Sequence, residues 1–330
     1  MRGSREAGAC ITPTLVEPPL TVLAVPGSWR LAGLGVATTR EGTLLPLAMA
    51  CPCGTGVADR QAFWRLAADW LGTVLGTEPV DPTGKRLRRA AVHSYGEYTA
   101  LRFVRGQTQS RMRTRDPDFL LIDYTRTMLA CLLWRPAPAC IGVVGLGGGS
   151  QVKFCRRHLP CARIEVVENN PQVIALRDRF LVPADDERLQ VSLDDGARFV
   201  AARPGRYDML LVDGYDETGI PGALSTQAFY DDCREALLDG AAMSVNLFCG
   251  DADAHVRRLR RSFGDGNVLL VEEDAMSNRV AFAWRGAPPA ASGEYVESIL
   301  AALPPGAGEQ LAPVFRRVAA RIGDGRAVRA

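Results

Sequence analysis

From Cys140 onward, short aliphatic and β-branched runs alternate with longer stretches whose apolar positions recur at helical spacing. The runs predict strands at Ile141–Gly145, Arg163–Glu168, Leu189–Leu193, Tyr207–Asp213 and Ala241–Phe248. The stretches between them predict helices at Ser150–His158, Pro171–Phe180, Gly196–Ala202 and Thr226–Leu238. Strands that are apolar throughout and separated by helices form parallel sheets, covered by helices on both faces. Two further runs, Asn267–Glu272 and Arg279–Trp284, are separated by a short polar turn and predict an antiparallel hairpin at the sheet edge. After Gly286, two helices are expected around Pro304–Gly306, followed by an Arg-rich end.

Upstream the pattern is less regular. Pro13, Pro18, Pro19, Pro26, Pro46 and Pro52 cut the first 58 residues into short extended pieces, with strands expected at Leu20–Val25 and Leu31–Thr38. Between Asp59 and Leu75, Phe63, Leu66, Ala67, Trp70, Leu71 and Val74 mark an amphipathic helix. Ala91–Ser110 reads as a β-hairpin, Val92–Tyr95 and Tyr98–Val104, with Gly96 and Gly106 as turn residues. Arg111, Arg113 and Arg115 follow at period two and share one face if the strand continues, either solvated or forming a basic wall beside a substrate. Asp118–Trp134 is expected to be helical and is closed by Pro136 and Pro138. The expected organisation is therefore an N-terminal segment (1–58), a helix-and-hairpin region (59–135), the α/β domain (136–286) and a helical tail (287–330), with a small β-rich region ahead of the main sheet.

Composition narrows the classes. With 330 residues, 47% hydrophobic content and a net charge of +2, the chain reads as a soluble protein of enzyme size, with no basicity demanding nucleic acid. No apolar run approaches membrane-spanning length and the N-terminus lacks a signal pattern, so a cytoplasmic protein is expected. The nine cysteines are scattered in apolar runs and read as free thiols. Cys51-Pro-Cys53 lacks a second ligand pair, and His93, His158 and His255 lie far apart, so no metal is expected.

The chemistry sits at strand ends. Val143-Val144-Gly145-Leu146-Gly147-Gly148-Gly149-Ser150 is a strand running into a glycine turn and a helix N-terminus. Glycine permits positive φ there, and its missing Cβ lets a ligand lie against backbone N–H groups. Dinucleotides and S-adenosylmethionine (AdoMet) both use such a turn. A parallel sheet ending in an antiparallel hairpin is typical of the AdoMet-methyltransferase-like Rossmann fold, which is the fold expected here. The second strand ends at Glu168, an acceptor for ribose hydroxyls. The third ends in Asp194-Asp195-Gly196, where an Asp can accept from an adenine amino group. The fourth ends in Asp213-Gly214-Tyr215-Asp216, two carboxylates able to hold a cation or take a proton from an attacking amine. Loop Gly214–Leu224 is either a lid over this site or an ordinary connection.

The run from Gly106 to Phe248 resembles the spermidine synthase (polyamine aminopropyltransferase) family. The segments that carry the resemblance are the glycine turn, Val166-Val167-Glu168 with Pro171-Gln172-Val173-Ile174, Asp195-Gly196, Tyr207–Asp213, Asp216 and Phe229-Tyr230, together with Gln109-Ser110 and Tyr124. The resemblance implies a homodimeric transferase that moves an aminopropyl group from decarboxylated AdoMet to an amine such as putrescine. It implies a donor site of Gly145, Gly147, Gly149, Glu168, Asp195 and Gly196. Asp213 would be the base, Asp216 a holder of substrate nitrogen, and Gln109, Tyr124, Ser150 and Tyr215 would face substrate. The sequence departs from the family pattern in carrying Ser150, Thr125 and Asn170 where the family carries Asp, His and a second acid, and in its arginine run. These departures keep three alternatives open: an AdoMet-dependent methyltransferase or related enzyme acting on an anionic small molecule, a non-catalytic binding protein on the same fold, and, more distantly, a dehydrogenase.

Overall fold

The computed structural model describes residues 29–38 and 44–52 at the level of strand pairing, and residues 80–103, 108–216, 219–248, 250, 252–273 and 278–324 in full. The chain divides into two compact units, Met1–Ala67 and Ala68–Ala330. The first unit contains β1 (Trp29–Thr38) paired antiparallel with β2 (Leu44–Pro52), from Thr38 opposite Leu44 to Trp29 opposite Pro52. Pro46 and Pro52 thus lie within a strand rather than breaking one. In a two-stranded ribbon every strand is an edge, where a missing N–H costs least. The expected strand at Leu20–Val25 and helix at Asp59–Leu75 lie outside the described residues.

The second unit is built on a seven-stranded sheet. Its strands are β6 (Cys140–Val144), β7 (Arg163–Glu168), β8 (Leu189–Leu193), β9 (Tyr207–Val212), β10 (Leu237–Leu247), β11 (Val268–Glu272) and β12 (Arg279–Trp284), in the order β11-β12-β10-β9-β6-β7-β8. The five strands from β10 to β8 are parallel, and β12 runs antiparallel to both β10 and β11. The edge hairpin and all seven strands follow the hydrophobic pattern to within a few residues. Successive side chains of a strand point to opposite faces. Val143 and Val166 accordingly enter the core on one face, and Val144, Val167 and Val212 the core on the other. The order of strands reverses at β6. The chain winds outward through β7 and β8, then returns to place β9 on the other side of β6. Ligand crevices form at such reversals, beyond the carboxyl ends of the strands.

Three places differ from the expected pattern. The residues expected to form the helix Asp118–Trp134 are helical only from α1 (Asp123–Met128), which runs into a 3-10 turn at Leu129–Leu133. Tertiary contacts take up the backbone of the preceding residues, which form a turn and a bend: Leu120 N–H donates to Gln310 Oε1 (2.9 Å), and the Arg126 guanidinium donates to Leu120 O (2.6 Å). The hairpin is a three-stranded sheet, β3 (Ala90–Tyr95), β4 (Tyr98–Phe103) and β5 (Thr108–Arg113). Ser110 and Met112 of β5 are buried, and Arg111 and Arg113 share its other face. Those guanidiniums lie over aromatic rings, Arg111 on Tyr98 (5.2 Å to the centroid) and Arg113 on Phe119 (4.1 Å), while Arg115 sits exposed in the following turn. The third difference is a helix at Ala252–Phe263 that the sequence reading omits. Its buried face, Ala252, His255, Val256, Leu259 and Phe263, is interleaved with six exposed or half-buried polar residues, four of them arginines. Helices Gly293–Ala302 and Pro305–Gly323 close the chain as expected, and Phe315 and Val318 reach the core beneath Trp134 and Trp284.

Burial explains the cysteines: it pushes the Cys131 and Cys155 thiols up to about 12, so both act as small apolar side chains. No helix of the described residues is long and apolar enough to cross a membrane.

Candidate active site

At the carboxyl end of β6 the chain turns through Gly145, Gly147 and Gly149, all at positive φ (94°, 51° and 65°), into the helix Ser150–His158. Gly145 is required twice over. Besides its φ, a Cβ there would lie 2.3 Å from Asp213 O, because the turn is pressed against the end of β9. Backbone bonds tie the two strand ends and β7 together, with Gly145 N–H donating to Val167 O and Asp213 N–H to Val144 O, both at 2.8 Å.

This junction opens into a cavity of about 940 Å³, within the range of small-molecule sites, roughly 300–1,000 Å³. Of the residues singled out by sequence, Gln109, Tyr124, Gly145, Gly147, Ser150, Glu168, Asp195, Gly196, Asp213, Tyr215 and Asp216 all line it. Gly149 does not. Its Cα faces Val182, whose Cγ2 would stand 2.4 Å from an added Cβ, so it serves packing, and Gly148 lines the cavity in its place. Arg111, Arg113 and Arg115 are also absent from the lining, which corrects the reading of an arginine wall beside the substrate. Thr125 and Asn170 line the cavity in their substituted forms. The Thr125 hydroxyl donates to Ile122 O (2.5 Å), and Asn170 caps the following short helix by accepting from Gln172 N–H (3.0 Å).

Each carboxylate has a distinct environment. Glu168 is buried, with Leu146 N–H donating to Oε2 and Asn170 N–H to Oε1, both at 2.9 Å. The glycine turn and Glu168 therefore hold each other in place. Burial raises the Glu168 carboxyl above its ordinary range, although these backbone donors pull the other way. Asp195 caps the next helix, accepting from Arg198 N–H at 2.9 Å, while the neighbouring Asp194 takes the Arg198 guanidinium. Asp195 thus serves the helix through Oδ1 and is also part of the cavity lining.

Asp213 is held by two side-chain donors. Tyr124 Oη donates to Oδ2 at 3.0 Å and Asn246 Nδ2 to Oδ1 at 2.8 Å, and Asn246 Oδ1 in turn accepts from Asn278 Nδ2 at 2.9 Å. Burial pushes the Asp213 carboxyl up, and its two donors oppose that shift. Burial and the Asp213 charge raise the Tyr124 phenol well above its usual value, so it remains a donor. Asn246 and Asn278 escaped the sequence reading. They lie on β10 and beside β12, and only strand pairing brings them to Asp213. Tyr215 is locked onto backbone, donating to Asn246 O (2.7 Å) and accepting from Phe248 N–H (2.5 Å). Asp216, also buried, accepts from Lys85 Nζ at 2.8 Å.

The arrangement provides a backbone cradle with an acceptor for vicinal hydroxyls at one end. At the other end stands an oriented carboxylate whose raised pKa suits it to receiving a proton. Among the described residues no cluster of His, Cys, Asp and Glu has metal-binding geometry.

Residues 126–249 match the spermine/spermidine synthase domain. The chain is 33% identical over 212 residues to a polyamine aminopropyltransferase of Chromobacterium violaceum, covering 63% of this chain and 81% of that enzyme. It is 31% identical to that of Neisseria meningitidis, covering 63% and 80%. A spermidine synthase solved in complex with the transition-state analogue AdoDATO superposes with a TM-score of 0.53, covering 86% of this chain and 96% of that one. Identity there is 16%, a likeness of fold. The domain match takes in the glycine turn, Glu168, Asp195 and Asp213, the similarity covers about four-fifths of each of these relatives, and the chain belongs to the spermine/spermidine synthase family.

Proposed function

We propose that this enzyme transfers an aminopropyl group from decarboxylated AdoMet to a putrescine-like amine, with Asp213 as the base. The observation that carries the reading is the Tyr124–Asp213–Asn246 triplet, in the same cavity as the glycine turn and Glu168. A sulfonium is already an activated leaving group, so the protein has two tasks, to align the amine and to unmask its lone pair. The acceptor nitrogen bonds to the propyl carbon next to sulfur. The C–S bond breaks with its electron pair staying on sulfur, which leaves as the neutral thioether methylthioadenosine. The surplus proton passes from nitrogen to the Asp213 carboxylate. Tyr124 and Asn246 occupy one lone pair on each oxygen, fixing the carboxylate plane while leaving a second lone pair for the incoming proton. Glu168 and Asp195 would hold the ribose and the adenine of the donor. The methyltransferase reading drew on Ser150 and on the arginine run, and the stacking of Arg111 and Arg113 on aromatic rings, outside the cavity lining, removes the second of these supports.

The test is release of methylthioadenosine from decarboxylated AdoMet and putrescine. Asp213→Asn keeps the shape but cannot take a proton, and turnover should fall by about 10²–10⁴ while methylthioadenosine still binds. Undiminished turnover in that variant, or consumption of unmodified AdoMet instead, refutes the proposal.

A further inference from the structure

Asp216 already holds a cation. The chain has two lysines, and the side chain of one of them, Lys85, reaches this buried carboxylate with its ammonium 2.8 Å from Oδ2. The two ends of the pair differ sharply: the Asp216 side chain is 5% exposed and that of Lys85 53%. The loop that presents Lys85 is tightly made. Asp81 Oδ1 accepts from Thr83 N–H (2.8 Å) and Lys85 N–H (2.9 Å), and Asp81 N–H donates to Lys85 O (2.8 Å). Gly84 at φ 87° and an antiparallel bridge between Val80 and Arg86 complete the turn. Just beyond it, Leu87 and Arg88 line the cavity itself. A hydrogen-bonded turn therefore brings the ammonium to a carboxylate that lines the cavity.

We propose that Lys85 is an acceptor-selectivity residue, standing at Asp216 in place of an acceptor ammonium. The inference rests on the aminopropyl-transfer reading. A diamine brings two ammonium groups, of which one must be deprotonated to react. The other gains from a buried carboxylate only if that carboxylate is not already neutralised. With Lys85 in place, Asp216 offers the second ammonium no net charge, and a singly charged amine is held as well as a diamine. Replacing Lys85 by a neutral side chain removes this ammonium from the buried carboxylate, and the second ammonium of a diamine can take its place where a monoamine cannot. A charge-assisted bond of that kind is worth about tenfold or more in affinity.

The experiment compares putrescine with n-butylamine, binding measured calorimetrically in the presence of methylthioadenosine and turnover measured with decarboxylated AdoMet. In the wild type the two amines should bind within about threefold of each other. In Lys85→Met the ratio should move about tenfold toward putrescine, appearing in KM rather than kcat, whereas Lys85→Arg, which keeps a cation on Asp216, should retain the wild-type ratio. An unchanged ratio in Lys85→Met, or the same change in Lys85→Arg, overturns the proposal. So does a wild-type preference for putrescine above about tenfold, which requires no variant to fold. Absence of methylthioadenosine release with either amine would refute aminopropyl transfer while leaving the binding ratio to decide the role of Lys85.

Discussion

Tyr124→Phe removes a single oxygen, the donor 3.0 Å from Asp213 Oδ2, and leaves the ring packed and Asn246 on the other oxygen. A hydrogen bond to a buried charged group is worth about 1.5–3 kcal/mol. At about 1.36 kcal/mol per factor of ten, its loss should raise the proton affinity of Asp213 roughly ten- to a hundredfold. The sign follows from which form the bond supports. Tyr124 donates to the ionised carboxylate, so without it the protonated acid is favoured, adding to the upward push of burial. A base works only when ionised. The acid-side fall in kcat/KM should therefore move to higher pH in the variant, with the plateau above it less affected. Titration of the acceptor amine is common to both proteins, so the difference between their profiles isolates Asp213. The assay is methylthioadenosine release from pH 5 to 9 at limiting amine. Stability carries the same signature. The folded state holds the Asp213 proton more tightly than the unfolded chain, so ionisation costs stability as pH rises through the folded value, and that window should widen in the variant. An acid limb that stays in place, or moves to lower pH, would refute the assignment of Asp213 as the titrating base.

Gly145→Ala places a Cβ 2.3 Å from Asp213 O at a φ of 94°, so denaturant unfolding should show a loss above about 3 kcal/mol together with loss of nucleoside binding; Gly147→Ala, with open space around it, should cost only the backbone term of about 1–2 kcal/mol. Equal losses in the two would refute the close approach of the glycine turn to β9. Glu168→Gln sets an amide N–H₂ against one of the two N–H groups, that of Leu146 or that of Asn170, and should weaken methylthioadenosine binding at least about tenfold by calorimetry; unchanged affinity would show that Glu168 serves the turn alone. Lys153 is buried with Nζ 2.7 Å from Phe180 O, and burial pulls its ammonium from 10.5 down to about 8. The unfolded chain binds the extra proton between those values, so stability should rise with pH across that window by about 3 kcal/mol. Chemical denaturation from pH 7 to 10.5 should show this slope in the wild type and its loss in Lys153→Met; a common slope would refute it.

The hydrophobic pattern alone determined the sheet. Buried parallel strands must be apolar throughout, so the runs from Ile141 to Trp284 announced themselves, and the glycines and carboxylates that follow them fell at strand ends by position in the chain. Glu168, Asp195, Asp213 and Asp216 were legible for the same reason, since a side chain at the carboxyl end of such a strand has the crevice as its nearest space, whereas Gln109 and Tyr124 were legible only through the family resemblance. Contacts between residues distant in sequence were not legible. Asn246 and Asn278 reach Asp213 only because β10 pairs with β9 and β12 pairs with β10. The period-two arginines of β5 share a face, but which rings lie beneath that face depends on neighbouring segments, and Tyr98 and Phe119 took them away from the cavity. Residues 118–122 stay out of the helix because Gln310, 190 residues further on, binds Leu120. Lys85 meets Asp216 across 131 residues, a pairing that no local period encodes. Periodicity reports which face of an element is buried, whereas the charge and proton affinity of a site depend on which groups share the buried space.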